Sequence, residues 1–256
     1  MRTSFLGLAT ATVFAGTAFA GPNLVTNGNF EATNGSFSGT QNTQFGSGGY
    51  ASVPNWTVTA NGGSTPFDLW FIASKDTTQG AQSQYGSTNQ DLLSNPSNPP
   101  TGLVNFVALD ADSNATGILS QSISGLLLGQ TYQLTFSWAA SQLATASTNP
   151  YSAGLAFGLG TSLVTSSTGT GVQTTGLTSE KYGVSSPWAS VTATFVATSY
   201  TEILSFLAYG TPTGGPPEAV LDNVGLTAVP EPASLTLFGG LAVLGLARRR
   251  ALRRGR

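Results

Sequence analysis

The sequence predicts an all-β protein built around one sandwich domain, and three observations carry that prediction. Of 256 residues, 32 are glycine and 13 proline while only 8% are charged, the composition of short strands separated by turns. Apolar and polar residues alternate in TYQLTFSWAA, so that Tyr132, Leu134, Phe136 and Trp138 face one side and Gln133, Thr135 and Ser137 the other. No long amphipathic helix can be drawn through the central region.

Taken in chain order, residues 1–20 (MRTSFLGLATATVFAGTAFA) combine one positive residue, an apolar run from Phe5 and a small-x-small Ala18-Phe19-Ala20 step. That is the pattern of a cleaved export signal, which puts the mature N-terminus at Gly21; the alternative, a buried N-terminal helix, is disfavoured because the stretch lacks the polar face a surface helix shows. Strands are expected at 56–60, 67–74, 102–110, 117–124, 132–140, 153–160, 188–197, 202–209 and 219–227, each bounded by Gly, Pro, Asn or Ser. Long polar loops fill 34–52, 76–101, 166–186 and 211–217. SNPSNPP at 94–100 reads as a loop inside one domain, because strands of the same style continue on both sides. The organisation is therefore 1–20 signal peptide, 21–228 β-sandwich domain and 229–256 C-terminal segment.

Several chemistries are excluded or weakened. The chain has no cysteine and no histidine, which removes disulfides, thiolate zinc sites, Ser-His-Asp and Cys-His catalysis, and the commonest general base. Six of the nine basic residues lie in the last nine positions and one is Arg2, leaving Lys75 and Lys181 against eleven carboxylates in 21–231. That segment has a formal charge of −9, hidden by the whole-chain value of −2, and it repels phosphate backbones, so nucleic acid is not an expected partner. A Ser-Lys pair could use only those two lysines, and no glycosidase carboxylate motif is visible. The chain is read as non-catalytic.

The C-terminal segment joins three unlike pieces: VPEPAS at 229–234 with Pro230, Glu231 and Pro232, a 14-residue apolar run at 234–247, and a basic tail opened by Arg248, Arg249 and Arg250. As a helix the run would span about 21 Å, short of a ~30 Å hydrocarbon core, and alone it could be a core helix. The arginines hold its end on the cytoplasmic side, and their stems lengthen the effective span. The prolines keep the preceding backbone extended and open to a processing enzyme. This constellation resembles the PEP-CTERM sorting signal of Gram-negative bacteria. The resemblance implies export, transient anchoring in the inner membrane, recognition by an exosortase, and release or transfer to the cell surface or to an exopolysaccharide matrix of the biofilm type.

Three internal stretches carry a second resemblance: NLVTNGNFE at 23–31, GILSQSISGLLLGQTYQLTFSWAA at 117–140 and AVLDNVGLTAV at 219–229. Together they are similar to the jelly-roll, galactose-binding-like domains of carbohydrate-binding modules. The resemblance implies a structural Ca²⁺ held by the acid of the opening motif and the Asp of the closing motif, which carry over to Glu31 and Asp222. Period two independently places Asp222 on one face with Val220, Val224 and Leu226, and a carboxylate there needs a partner. Oxygen-only ligation suits calcium in a chain without His or Cys. The competing reading is that Asp222 accepts backbone amides of the N-terminal segment.

DADSNAT opens like an EF-hand with Asp110, Asp112 and Asn114, but Ala115 stands where the turn needs Gly and Gln121 where a bidentate Glu belongs. It is read as a turn between strands. Aromatics of the loop-rich first half, Trp56, Trp70, Phe71 and Tyr85, offer sugar platforms; Trp56 and Trp70 are the candidate glycan contacts, while Trp138 and Trp188 fall with core residues. Two functions follow: a non-catalytic surface or matrix protein sorted by an exosortase, or a lectin-like carbohydrate-binding module.

Overall fold

The computed structural model describes residues 21–32, 43–44, 53–61, 69–73, 92–113, 116–142, 149–160, 171–213 and 217–230. The signal peptide, Glu231, Pro232, Arg248, Arg249, Arg250 and the apolar run lie outside them, as does Tyr85; Pro230 is described and exposed.

The described residues form two six-stranded sheets. In the first, β1 (Thr43–Gln44), β3 (Leu69–Ala73), β4 (Asn105–Asp110), β12 (Pro217–Ala228), β6 (Thr131–Gln142) and β10 (Ala189–Val196) lie side by side in that order. In the second the order is β2 (Thr57–Ala60), β5 (Gly117–Ser124), β11 (Thr201–Thr211), β7 (Tyr151–Leu159) and β8 (Gln173–Thr174), with β9 (Thr178–Glu180) also beside β7. Every pairing is antiparallel. From β4 to β7, and again from β10 to β12, the chain crosses to the other sheet at each step, the winding of a jelly-roll sandwich. All nine expected strands are present. The 166–186 loop proves to hold β8 and β9, and the 34–52 loop holds β1; each is only two or three residues long, too short to alternate visibly.

The core lies between the sheets and follows the period-two pattern. Tyr132, Leu134, Phe136 and Trp138 of β6 are all buried, facing Leu155 and Phe157 of β7 and Leu204 and Phe206 of β11. Phe136 meets Phe157 and Phe206 edge-on at 4.9 and 5.3 Å, a favoured aromatic geometry. A smaller cluster on the outer face of the first sheet gathers Leu92, Phe106, Ala108, Ala139 and Val220, with Trp188 set edge-on to Phe106 at 5.5 Å.

The opening motif ties the ends of the domain together. Leu24 N–H donates to the Leu226 carbonyl at 2.9 Å and Val224 N–H to the Gly28 carbonyl at 2.8 Å. Gln121 clamps Thr26 from both sides, accepting its N–H and donating to its carbonyl, each at 2.8 Å. Gly28 runs so close to β12 that a Cβ there would collide with the Val224 carbonyl. Asn27 takes a left-handed φ of 52°, a conformation Asn tolerates, and its side chain bonds both the N–H and the carbonyl of Ala32. Phe30 can then enter the core, fully buried.

Candidate functional site

Glu31, immediately after Phe30, caps the start of β4. Its Oε1 accepts Val104 N–H at 3.0 Å and Asn105 N–H at 2.9 Å, and its Oε2 accepts the Asn105 side-chain amide at 2.9 Å. Asp222 is buried in β12 with Oδ1 lacking a hydrogen-bond partner. Burial pushes its carboxyl up to about 7, the Asn223 amide lowers it, and the charge of Glu31 raises it again. The two acids named from the sequence are thus near enough to repel.

Two expectations about Asp222 need correction. It does not share a face with Val224 and Leu226. The register slips between Asp222 and Gly225, with Asn223 at φ 52°; this is a bulge, and one extra residue reverses the parity beyond it. Val224 and Leu226 therefore join Leu221 in the main core, while Val220 packs in the outer cluster. Nor does Asp222 bond the N-terminal segment; its amide partner is Asn223, and the segment is held instead by Gln121, by Asn23 and by backbone bonds.

DADSNAT connects β4 to β5, and its Asn114 and Ala115 lie outside the described residues. Asp112 N–H closes onto Asp110 Oδ1 at 2.7 Å, and Gln121, committed to Thr26, is unavailable to an EF-hand loop. Asp110 is itself buried and pushed up to about 7.

Trp56 is not a sugar platform. It is 5% exposed, packs on Phe30 at 5.3 Å and Phe206 at 6.3 Å, and donates its indole N–H to the Asn27 carbonyl at 3.0 Å. Strand parity at its position turns it inward, which the loop-rich setting concealed. Trp70 lies on β3 in register with Ala108 and Gln44; its side chain is outside the described residues. Trp138 is core and Trp188 lines the outer cluster, as their patterns imply.

An aromatic that borders a surface recess is Tyr209, half-buried on the outer face of β11. Gly154 on the neighbouring strand makes room for it: a Cβ there would come within 3.0 Å of the Tyr209 ring. Tyr209 borders a recess of about 440 Å³ with Leu177, Asn61, Ser113, Thr116 and Thr211. Asn61 and Thr116 brace each other at 3.1 Å, as do Thr211 and Ser152 at 2.8 Å. A signal for Tyr209 existed: Leu204, Phe206 and Ala208 point inward, so position 209 had to point out. A second recess, of about 420 Å³, lies over the bulge and the opening motif, with Asn23, Asn27, Asn29, Asn223, Thr135 and Thr227 on its walls. Both offer amides and hydroxyls, groups suited to a hydroxyl-rich ligand.

Fold and recesses together define a jelly-roll β-sandwich with polar surface clefts. No protein-family model matches the chain, and no curated protein matches it in sequence. The solved structures it is similar to are mostly carbohydrate-binding modules with a β-sandwich fold, with enzymes also among them. A CBM4 structure has a TM-score of 0.35 at 14% identity over 80% of this chain and 99% of that one. TmCBM61 in complex with beta-1,4-galactotriose has 0.38 at 13% over 82% and 99%. The enzymatically active domain of bacteriophage CBA120 tailspike protein 4 has 0.37 at 14%, over 81% of this chain and 21% of that one, so the chain spans about a fifth of that domain's length.

Proposed function

We propose that the chain is an exported, non-catalytic surface or matrix protein, sorted by an exosortase, whose sandwich contacts a neutral, hydroxyl-rich glycan such as an exopolysaccharide. Sorting is supported by the order of VPEPAS, apolar run and arginine block at 229–256. In this reading the inner membrane holds the chain only until processing, after which it belongs to the cell surface or extracellular matrix. The observation that carries glycan contact is the Tyr209 recess: one aromatic ring flanked by the Asn61–Thr116 and Thr211–Ser152 pairs. Sugar C–H faces stack on such a ring while hydroxyls exchange hydrogen bonds with the rim. Binding to a neutral-glycan panel should fall about tenfold or more in Tyr209→Ala, a loss of roughly 1.4 kcal/mol, and persist in Tyr209→Phe. Absence of glycan binding, with matrix retention lost on truncation at Ala228, would leave the purely structural role standing.

A structural Ca²⁺ belongs to the same proposal, with Glu31 and Asp222 as its acidic ligands. The unpartnered, buried Oδ1 of Asp222 and the repulsion between the two acids support it; a cation would relieve both. Among the described residues no cluster of three or more acidic ligands exists, so remaining positions would fall to carbonyl and amide oxygens. Its contribution would be to stability, joining the first and last segments of the domain.

A further inference from the structure

One end of the sandwich presents apolar side chains to water. In the turn between β5 and β6, Leu126 is buried, but Leu127 and Leu128 are each 61% exposed. Tyr200, in the turn between β10 and β11, is 66% exposed, and Val196, the last residue of β10, 58%. The two turns form one unit. Leu126 N–H donates to the Tyr200 carbonyl at 3.2 Å, Gly129 N–H to Ala197 at 2.8 Å and Ala197 N–H to Gln130 at 3.0 Å, while Leu127 N–H donates to Tyr132 Oη at 2.9 Å. Gly125 and Gly129, both at φ 80°, supply the backbone that turns the leucines outward.

No charged residue occurs in 124–131 or 196–201. The nearest carboxylate, Glu202, is folded beneath the turn, where Oε1 accepts Thr198 N–H at 2.6 Å, Thr198 Oγ1 at 2.8 Å and Ser199 N–H at 3.0 Å. The acids Asp110 and Glu218 stand opposite each other at the other end of the strands. Within a domain (21–228) of formal charge −8, two lysines against ten carboxylates, this tip combines neutrality with two leucines that are each 61% exposed.

The chain also leaves the domain here. Ala228, the last residue of β12, pairs with Tyr132, whose hydroxyl is bonded to Leu127. The apolar run begins six residues later, at Ser234, within a reach of about 20 Å. Isolated exposed leucines need no explanation; an uncharged, apolar tip, its two turns hydrogen-bonded together, at the point where the chain departs toward an apolar segment does.

We propose that Leu127, Leu128 and Tyr200 form a membrane-docking tip that enters the headgroup–acyl boundary of the bilayer anchoring the C-terminal run. The inference rests on reading 234–247 as a membrane segment. Leucines suit the acyl side of that boundary and a tyrosine ring its polar side, and a neutral tip escapes the repulsion between the acidic domain and anionic lipid. Three side chains give a weak, reversible hold. The contact orients the tethered domain and does not outlast the tether.

The absence of cysteine makes single-cysteine labelling specific. Full-length chain carrying an environment-sensitive fluorophore at Leu128→Cys, or at Ser113→Cys at the opposite end, is incorporated into vesicles of phosphatidylethanolamine and phosphatidylglycerol. The label at 128 should shift to the blue on incorporation and be quenched by nitroxide lipid several-fold more than the label at 113. Adding Leu127→Ser and Tyr200→Ser should reduce that quenching without changing co-flotation with vesicles. Equal, water-like emission at both positions in a chain that floats would overturn the tip and leave the anchor intact. A chain that does not float would overturn the anchor, and the tip with it. Blue emission without vesicles, insensitive to nitroxide lipid, would assign the surface to self-association instead.

Discussion

Asp110→Asn tests the electrostatics of the first sheet directly. Asp110 stands opposite Glu218 across the β4–β12 pair and beside Asp112. Burial raises its carboxyl from the ordinary 3.8 to about 7, opposed by the Asp112 amide and assisted by the Asp112 charge. A group whose folded pKa lies above its unfolded value binds more protons when folded. Stability is therefore greatest below about pH 4 and falls as pH rises toward 7, by about 1.4 kcal/mol per pH unit for each such group. Over the interval of roughly three units Asp110 withholds about 4 kcal/mol from the neutral-pH fold, and Asp222, pushed up to the same level, acts in the same direction. Asparagine keeps an oxygen for Asp112 N–H and removes the charge. Urea unfolding across this range, with chelator present, should show the pH slope reduced by about one proton and the variant more stable than wild type above pH 7, by up to about 4 kcal/mol. Parallel wild-type and variant curves, or a variant less stable at neutral pH, would refute the argument that burial raises the Asp110 carboxyl toward 7.

Trp56→Ala should destabilise the domain by about 3–5 kcal/mol, through the cavity left against Phe30 and Phe206 and the lost indole hydrogen bond to the Asn27 carbonyl, read from denaturant midpoints. Gly28→Ala should cost at least about 1–3 kcal/mol, because its Cβ meets the Val224 carbonyl and neither strand nor motif can move freely; an unchanged melting temperature would show that the motif does not bind β12 so closely. Calcium at a hundredfold excess over its dissociation constant should add about 2.7 kcal/mol to the wild type and much less to Asp222→Asn; equal stabilisation of both places the ion elsewhere. Intact mass of protein from the native cell surface should lack 1–20 and the residues beyond the Pro-Glu-Pro step, and a C-terminus still at Arg256 would contradict sorting.

The strands were legible because burial imposes a two-residue period on sequences such as those of β5 and β6, and turns are punctuated by glycine and asparagine. Asp222 shows where that logic fails. A bulge adds one residue to a strand without leaving a mark in hydropathy, so Val224 and Leu226 looked like its neighbours and face the other way. Trp56 was misread for a related reason: a strand of four residues is too short to establish which parity is inward. Glu31 and Asp222 were found as a pair only through the motifs around them, since 191 residues separate them and nothing local links the two. Tyr209 could have been found, since three inward residues at alternate positions precede it.

The place of β12 bears on timing. It lies between β4 and β6, at the middle of the first sheet, and it also receives the opening motif through Leu226 and Val224. Until residues 217–228 are delivered, β4 and β6 are unpaired along the edges that face it, and Asn23, Leu24 and Gly28 lack their β12 partners. Pairing between such distant parts of the chain is slow. If the chain is exported as proposed, it would stay unfinished, and so extended enough to be translocated, until nearly all of the domain is across. Completion coincides with arrival of the strand that directly precedes VPEPAS, so the fold closes just as the segment read as its sorting signal comes into position.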